Sequence, residues 1–298
     1  MIANAAIQSV HKTTPGEHVF SVIIPSWNNL PYLKLCVESI RKNSTHKHQI
    51  IVHVNEGMDG TLEWIAAQPD IDYTHSNTNI GVCYAVNLSR TLATTDYIAY
   101  VNDDMYLCPG WDEIFLQEIQ QIGHPYFFLS ATAIEPIASS ICAIEKDYGK
   151  DVDSFDEALL LKEFNSLPKN DWAGATWPPN IVHKDIWDLV GGYSIEFSPG
   201  MYSDPDFSMK LWKAGVRLFK GLSKSRTYHF GSKSVKRIVK NAGYYTFIAK
   251  WGFTSSTLTK YYLHRGKDYT GPLTEPQLSA SLKLKNFMKR LNCALKNS

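Results

Sequence analysis

The chain has 298 residues, 44% of them hydrophobic and 20% charged, which is an ordinary composition for a soluble globular protein. No segment has the run of about 18 apolar residues that a membrane-spanning helix needs, and residues 1–20 lack the basic and apolar stretches of a signal peptide. We therefore expect a cytoplasmic protein with one large domain, or a domain with an appendage.

Charge is distributed unevenly along this nearly neutral chain. Residues 232–298 contain 13 Lys and Arg against two acidic residues, a net charge of +11, whereas the first 231 residues carry −10. The five cysteines are scattered, with no Cys-x-x-Cys pair, which indicates free thiols in a reducing compartment. The sequence thus predicts an acidic body followed by a basic tail.

Predicted strands and helices alternate through the first third of the chain. Apolar runs predict strands at 18–27, 48–55, 71–76 and 96–102, and helical periodicity predicts helices at 30–43, 61–68 and 80–93. This alternation is typical of an α/β fold with a doubly wound, mostly parallel sheet, in which ligands bind beyond the carboxyl ends of the strands. The polar strand ends PSWNN, VNEGMDG and VNDDMY should therefore share one rim.

Beyond residue 111 the pattern is less regular. The sequence predicts a strand at 126–135, an acidic loop and helix at 145–166, a helix that stops at Gly191 and Gly192, a helix that opens at Asp204, and a short basic strand at 224–230.

Two adjacent carboxylates, Asp103 and Asp104, follow the strand predicted at 96–102. A turn is one explanation, since Asp is common in turns. A divalent metal is the other, because Mg²⁺ or Mn²⁺ prefers oxygen ligands and is usually bound by one or two carboxylates together with a substrate phosphate. A cation between the carboxylates and a diphosphate would remove their mutual repulsion.

Several segments resemble, in their usual order, those of family 2 glycosyltransferases with the GT-A fold: FSVIIPSWNNLPYLKLCVESI, QIIVHVNEGMDGT, NTNIGVCYAVNLS, DYIAYVNDDM, LVGGYSIEF and SDPDFSMKLWKAG. The resemblance covers roughly residues 18–231. It implies a GT-A domain there, with a nucleotide half at about 18–110 and an acceptor half at about 111–231. Residues 1–17 would be an N-terminal extension, and residues 232–298 a basic, mainly helical C-terminal extension.

The same resemblance implies an inverting glycosyltransferase that uses Mn²⁺ or Mg²⁺. It would move a sugar from a UDP-, GDP- or dTDP-sugar to a hydroxyl of a glycan or lipid-linked acceptor, in surface polysaccharide synthesis. One alternative is a nucleotidyltransferase acting on sugar phosphates, although IIPSWNNLPY has no glycine and no basic residue before Lys34. A non-catalytic nucleotide-sugar-binding module is another, although it predicts loss of the carboxylates Asp204 and Asp206.

The resemblance also implies which residues contact the nucleotide sugar. Either residue of the pair Asn55 and Glu56 could face the base, Gly81 would allow close backbone approach or simply start a helix, and Asn87 would contact the ligand or pack. The full set is Pro25, Ser26, Asn28, Asn55, Glu56, Gly81, Asn87, Asn102 and Asp103.

Metal and catalytic roles follow from the family's later motifs. Asp104 would bind the metal, with Asn102 standing where a carboxylate is usual and Asp103 facing the ribose or the metal's water shell. His229 would complete the metal shell or be structural. Asp204 would be the catalytic base, with Asp206 as the second candidate, although an Asp before a helix is also a common N-cap.

The aromatic segment after the metal motif has two interpretations. Trp172, Trp177 and Asn180 would form a wall for the acceptor or donor sugar, since aromatic faces stack on sugar rings, or the tryptophans would belong to the core.

The end of the basic tail predicts an amphipathic helix. Its apolar face comprises Leu284, Phe287, Met288, Leu291 and Leu295, with basic residues around it. Such a helix would pack on its own domain or on a partner subunit, or make a peripheral contact with the inner face of the membrane. No nucleic-acid recognition motif is present, so we expect no nucleic-acid partner.

Overall fold

The structure is a computed structural model that describes residues 5–14, 16, 18–231 and 242–296. The first residues of the predicted C-terminal extension, 232–241, lie outside the described part. The strands are β1 Ile7–Val10, β2 Phe20–Trp27, β3 Gln49–Asn55, β4 Ile71–Ser76, β5 Tyr97–Tyr100, β6 Met105–Leu107, β7 Phe127–Glu135, β8 Ile144–Glu145, β9 Trp172–Ala173, β10 Asn180–His183 and β11 Leu218–His229.

The helices alternate with these strands in the first third of the chain and dominate the C-terminal part. They are α1 Leu30–Asn43, α2 Thr61–Ala67, α3 Val82–Arg90, α4 Trp111–Ile122, α5 Glu157–Glu163, α6 Lys184–Val190, α7 Ser203–Lys213, α8 Gly243–Trp251, α9 Ser255–Thr257 and α10 Ala280–Lys296. Short 3₁₀ helices lie at Phe164–Ser166 and Ile195–Phe197, and a π-helical turn at Leu258–Tyr262.

All described strands belong to one sheet with the path β1-β4-β3-β2-β5-β10-β7-β11-β6. Strands β4, β3, β2 and β5 are parallel to one another. Strand β10 runs antiparallel between β5 and β7, and β11 is parallel to β7. The predicted α/β, mostly parallel, doubly wound sheet is confirmed.

Strand β1 lies within the predicted N-terminal extension and pairs antiparallel with β4, so this segment adds an edge strand to the sheet. At the other edge, β6 pairs with β11 immediately after the two carboxylates. Strand β10 joins the two halves, and its four residues were not predicted as a strand because a short run after Pro178 and Pro179 has little periodicity.

Successive residues of the central strands face opposite layers of helices, as the alternation of side chains in a strand requires. Val22 packs in a core with Leu33 and Phe115, whereas Ile23 packs in a second core with Val86 and Phe207. Because both faces are covered, the strands are apolar throughout, which explains why they appear in the sequence as continuous runs.

The described part of the C-terminal extension completes the second core. Phe247, Leu258 and Leu263 are fully buried there, and the backbone of Ala173 exchanges hydrogen bonds with Gly266 and Lys267. Helix α10 packs on α8. Among the described residues, no helix has the length and apolar composition required to cross a membrane.

Candidate functional site

A cavity of about 630 Å³ opens at the carboxyl ends of the central strands. The strand ends after β2, β3 and β5 all contribute to it, together with the end of β7, the loop before α7 and the end of β11. This is the rim that the polar strand ends predicted, and it exists because parallel strands bring their carboxyl ends to one edge.

Asp103 and Asp104 both line the cavity, although each side chain is largely buried. They diverge in their contacts. Asp103 Oδ2 accepts a hydrogen bond of 2.7 Å from the hydroxyl of Ser26, whereas Asp104 Oδ1 lies 3.4 Å from Nε2 of His229. The two adjacent carboxylates therefore have different partners: Asp103 is hydrogen-bonded to β2, and Asp104 lies beside β11.

His229 connects Asp104 to a carboxylate that the sequence analysis did not identify. Its Nδ1 lies 2.7 Å from Oε1 of Glu135, and Glu135 also accepts a 3.0 Å hydrogen bond from the Ser139 hydroxyl. Glu135 ends strand β7 and lines the cavity. The sequence did show a carboxylate at the end of a predicted strand, which could have marked Glu135 as a site residue. Its pairing with His229, however, depends on the contact between β7 and β11.

The charge state of His229 follows from this pairing. Burial lowers the pKa of His229, but the hydrogen bonds and negative charges of Asp104 and Glu135 outweigh it and raise the pKa to about 10. The imidazole is therefore protonated at neutral pH when only protein groups face it. A cation bound at Asp104 would compete with that proton for Nε2.

Asp204 faces the same cavity from the first turn of α7. Burial raises the pKa of Asp204 to about 7, against the lowering effect of a 3.2 Å hydrogen bond from the hydroxyl of Tyr193. A carboxylate with a pKa near 7 can accept a proton efficiently near neutral pH. Tyr193 is fully buried and stacks on Phe207 with a centroid distance of 4.6 Å, so its hydroxyl is held in place.

The interpretation of Asp204 as a helix N-cap is wrong. Helix α7 begins at Ser203, and the preceding Tyr202 has a left-handed backbone with φ 72°. Asp204 is the second residue of the helix, and its Oδ1 accepts a hydrogen bond from the hydroxyl of Tyr193. The carboxylate thus points to the cavity instead of satisfying the helix terminus.

Asp206, the second candidate base, does not line the cavity. Its fully buried side chain accepts a 2.8 Å hydrogen bond from the indole of Trp251 and lies 2.9 Å from the ammonium of Lys250. Side chains two residues apart on a helix point in directions that differ by roughly 200°. Asp206 therefore faces α8, whereas Asp204 faces the cavity. These contacts join α7 to α8.

Most of the predicted nucleotide-binding residues meet at the cavity. Asn55 is buried there and its Oδ1 accepts a 2.9 Å hydrogen bond from the backbone of Ile80. Gly81 also borders the cavity. With φ +79°, it leaves no space for a side chain because an added Cβ would lie 2.4 Å from Ser198 Oγ. The members that line the cavity are Pro25, Ser26, Asn55, Gly81, Asn102 and Asp103.

Three predicted nucleotide contacts lie elsewhere. Glu56 accepts hydrogen bonds from the side chains of Trp27 (2.8 Å) and Asn28 (2.9 Å), which bind the two strand ends together. Asn87 exchanges hydrogen bonds with the backbone of Tyr193 at 2.7 and 2.9 Å. Neither Asn28, Glu56 nor Asn87 lines the cavity, and their contact with a nucleotide stays a prediction.

Of the predicted acceptor wall, Trp172 and Trp177 border the cavity and Asn180 does not. Trp172 is buried against Gly221 and donates a 2.9 Å hydrogen bond to the hydroxyl of Thr132. Trp177 stacks under the guanidinium of Arg265, 4.1 Å from the ring centroid. Each ring thus packs in the protein and also borders the cavity, and the contact with a sugar stays a prediction.

Within the described residues, no group of three or more His, Cys, Asp and Glu side chains is arranged to hold a metal ion. Asp104 and His229 nevertheless offer an oxygen and a nitrogen on the same wall of the cavity. Glu135 on Nδ1 would orient the imidazole as a carboxylate commonly does behind a metal-bound histidine. Two protein ligands fit a Mg²⁺ or Mn²⁺ ion whose remaining positions are taken by a diphosphate and water.

Solved structures share the fold of this chain. A solved structure of TarS residues 1–349 from S. aureus matches with a TM-score of 0.56, at 14% identity, over 94% of this chain and 72% of that 1–349 chain. GalNAc-T7, solved with UDP, GalNAc and Mn²⁺, gives a TM-score of 0.54 at 14% identity over 84% of this chain and 49% of that protein. The chain has the GT-A fold.

Sequence comparison gives a match over the N-terminal part of the chain. Residues 21–136 match the family model described as Glycosyl transferase family 2. WcaA of Escherichia coli (strain K12), which bears the name of a colanic acid biosynthesis glycosyl transferase, is 27% identical over 108 residues. That match covers 35% of this chain and 39% of WcaA, so it spans well under half of that relative. Residues 21–136 of the chain are therefore similar to family 2 glycosyltransferases.

Proposed function

We propose that the protein is an inverting glycosyltransferase that moves a sugar from a nucleoside diphosphate to an acceptor hydroxyl. The observation that carries the proposal is the convergence of Asp104, His229 and Asp204 on one cavity of about 630 Å³. The first two residues suit a metal-bound diphosphate, and the third is a carboxylate whose pKa is raised to about 7. The match of residues 21–136 to the family model supports the reaction class.

In this proposal Asp204 takes the proton of the acceptor hydroxyl as that oxygen attacks the anomeric carbon. Direct attack from the face opposite the leaving diphosphate inverts the configuration of that carbon. Tyr193 orients the carboxylate. Ser26 orients Asp103 toward the donor, and Trp172 and Trp177 provide apolar surface for a sugar ring. Asp104 and His229 would hold Mn²⁺ or Mg²⁺, which supplies charge stabilisation for the departing diphosphate.

The comparisons favour a particular donor and process. TarS has been solved with UDP-GlcNAc and with UDP, and GalNAc-T7 with UDP, so a UDP-sugar is the first donor to test among UDP-, GDP- and dTDP-sugars. WcaA is named for colanic acid biosynthesis, which supports a glycan or lipid-linked acceptor in surface polysaccharide synthesis. The cytoplasmic location stays a prediction from the sequence.

The test is a panel of nucleotide sugars measured with and without Mn²⁺. We expect one donor to raise the melting temperature of the protein in the presence of Mn²⁺, and to release its nucleoside diphosphate when an acceptor is added. Release of pyrophosphate from a nucleoside triphosphate and a sugar phosphate would instead identify nucleotidyl transfer. Absence of stabilisation and turnover with every donor would contradict the proposal.

A further inference from the structure

Helix α10 exposes a concentrated apolar surface. Twelve large hydrophobic side chains are exposed in the described residues, and four of them lie on this one helix. They are Leu284 (62% exposed), Phe287 (54%), Met288 (50%) and Leu291 (42%). Their spacing of three and four residues places them on one face, and this face is called the α10 stripe below.

The helix is attached to the protein by its opposite face. Asn286 and Cys293 are buried, and Asn286 Oδ1 accepts a 3.2 Å hydrogen bond from the hydroxyl of Thr257. At about 100° per residue, Asn286 and Cys293 lie roughly opposite the centre of the α10 stripe. An amphipathic helix ordinarily buries its apolar face, so α10 has the inverse orientation.

Basic residues flank the α10 stripe on both sides. Helical geometry places Lys283 and Arg290 along one border and Lys285 along the other, and all three are exposed. The 17 residues of α10 include five basic residues and no acidic one. The surface therefore combines exposed apolar side chains with a border of positive charge.

We propose that α10 docks the protein on a bilayer that contains anionic lipids. The α10 stripe would enter the boundary between headgroups and acyl chains, and the flanking lysines and arginine would contact lipid phosphates. A helix of 17 residues is about 25 Å long, and its polar attachment face excludes a spanning orientation, so it would lie in the plane of the interface. A peripheral contact was one of the alternatives that the sequence left open, and the inverted packing favours it.

A second copy of the chain is the other occupant to consider. Two α10 stripes facing each other would bring the basic borders of both helices together, with no acidic residue on either helix to offset them. An anionic bilayer offers the opposite charge along both borders. The charge pattern therefore favours the lipid surface.

The experiment measures co-sedimentation of the full chain with phosphatidylcholine vesicles that contain or lack phosphatidylglycerol, without any nucleotide sugar. We expect binding that requires phosphatidylglycerol and weakens with salt. The double variant Lys283→Gln/Lys285→Gln should lower the partition coefficient about 30-fold, at roughly fivefold per lysine. The double variant Phe287→Ser/Leu291→Ser should lower it at least about tenfold.

Leu189→Ser is the matched control, because Leu189 is 65% exposed but lies on α6, away from the α10 stripe. It should bind vesicles as the unaltered protein does. The proposal is overturned if the protein ignores anionic vesicles, if Leu189→Ser weakens binding as much as the stripe variant, or if the stripe variant only dissociates a dimer in sedimentation equilibrium. Donor binding does not enter this assay, so its outcome is independent of the proposed enzymatic function.

Discussion

The hydroxyl of Tyr193 lies 3.2 Å from Oδ1 of Asp204. Tyr193 belongs to the loop after α6, whereas Asp204 belongs to the first turn of α7, and the two meet because the Tyr193 ring is packed between Trp187 and Phe207. This contact holds the candidate base and partly offsets the effect of burial on its pKa.

The first prediction concerns pH. Because the pKa of Asp204 is about 7, the carboxylate that accepts the proton is lost below that pH. We expect kcat/KM for transfer to rise with pH through about 7 and then to level off. The measurement is initial rate against pH at fixed Mn²⁺. A rate that is constant between pH 5 and 8 would show that Asp204 does not limit the reaction.

Tyr193→Phe removes the hydrogen bond to Asp204 and keeps the stacked ring. Loss of a donor to the charged form should raise the pKa of Asp204, so the midpoint of the pH profile should move upward by about one unit. Tyr100→Phe is the control, since Tyr100 packs edge-to-face on Tyr193 at 5.8 Å and no hydrogen bond joins it to Asp204 in the described structure. An equal shift in both variants would exclude a specific role for the Tyr193 hydroxyl.

Asp204→Asn should separate catalysis from donor binding. We expect transfer to fall about 10²–10⁴-fold, as for removal of a general base, with stabilisation by the donor unchanged. Asp206→Asn is the matched control, because its side chain contacts Lys250 and Trp251 outside the cavity. That variant should lose about 1–3 kcal/mol of stability but keep transfer when folded. Loss of transfer in Asp206→Asn with transfer retained in Asp204→Asn would show that Asp206, and not Asp204, is the catalytic base.

Asp204→Asn should also raise the stability of the folded protein, by an amount that depends on pH. The pKa of Asp204 in the folded chain, about 7, exceeds the unfolded value of about 3.9. Ionisation in the buried site therefore costs folding free energy that grows from about pH 4 and is complete above pH 7. Asp204→Asn should melt at a higher temperature than the unaltered protein at pH 8, and at a similar temperature at pH 4. A loss of stability at pH 8 would contradict the raised pKa.

Glu135→Gln tests the support behind His229. Removing the carboxylate that orients Nδ1 should lower the affinity for Mn²⁺ in the presence of nucleoside diphosphate by about 10–100-fold. Titration calorimetry of the folded variant measures this change. Glu113→Gln, on the surface beside His46, is the control and should leave the affinity unchanged. If Glu135→Gln binds Mn²⁺ as tightly as the unaltered protein, Glu135 and His229 do not take part in metal binding.

Gly81→Ala should destabilise the contact between the loop before α3 and the loop before α7. An added Cβ would lie 2.4 Å from Ser198 Oγ and 2.6 Å from Pro199 Cα, at φ +79°. Gly110 is the matched control, because it precedes α4 with φ +74° but has nothing within 4 Å of its Cβ position. Both variants carry backbone strain, so the additional fall in melting temperature for Gly81→Ala measures the clash. Equal falls would show that the clash is relieved by local movement.

The local sequence pattern was sufficient to predict the central strands and the position of the cavity. Continuous apolar runs predicted β2, β3, β4 and β5, and their polar ends predicted the rim where the cavity lies, because both signals depend only on neighbouring residues. The carboxylates Asp103, Asp104 and Asp204 were also found from the sequence. Asp103 and Asp104 were recognised by their position after a predicted strand, and Asp204 by the resemblance to family 2 glycosyltransferases, neither of which needs knowledge of contacts.

Contacts between distant segments decided the rest. Glu135 meets His229 only because β7 and β11 are adjacent strands, and Asp204 faces the ligand space while Asp206 faces α8 because of where α7 begins. Periodicity located the apolar face of α10 but could not say whether that face meets the protein. The orientation of α10 depends on the contacts of its opposite face. There Asn286 accepts a hydrogen bond from Thr257, which lies 29 residues away in the sequence.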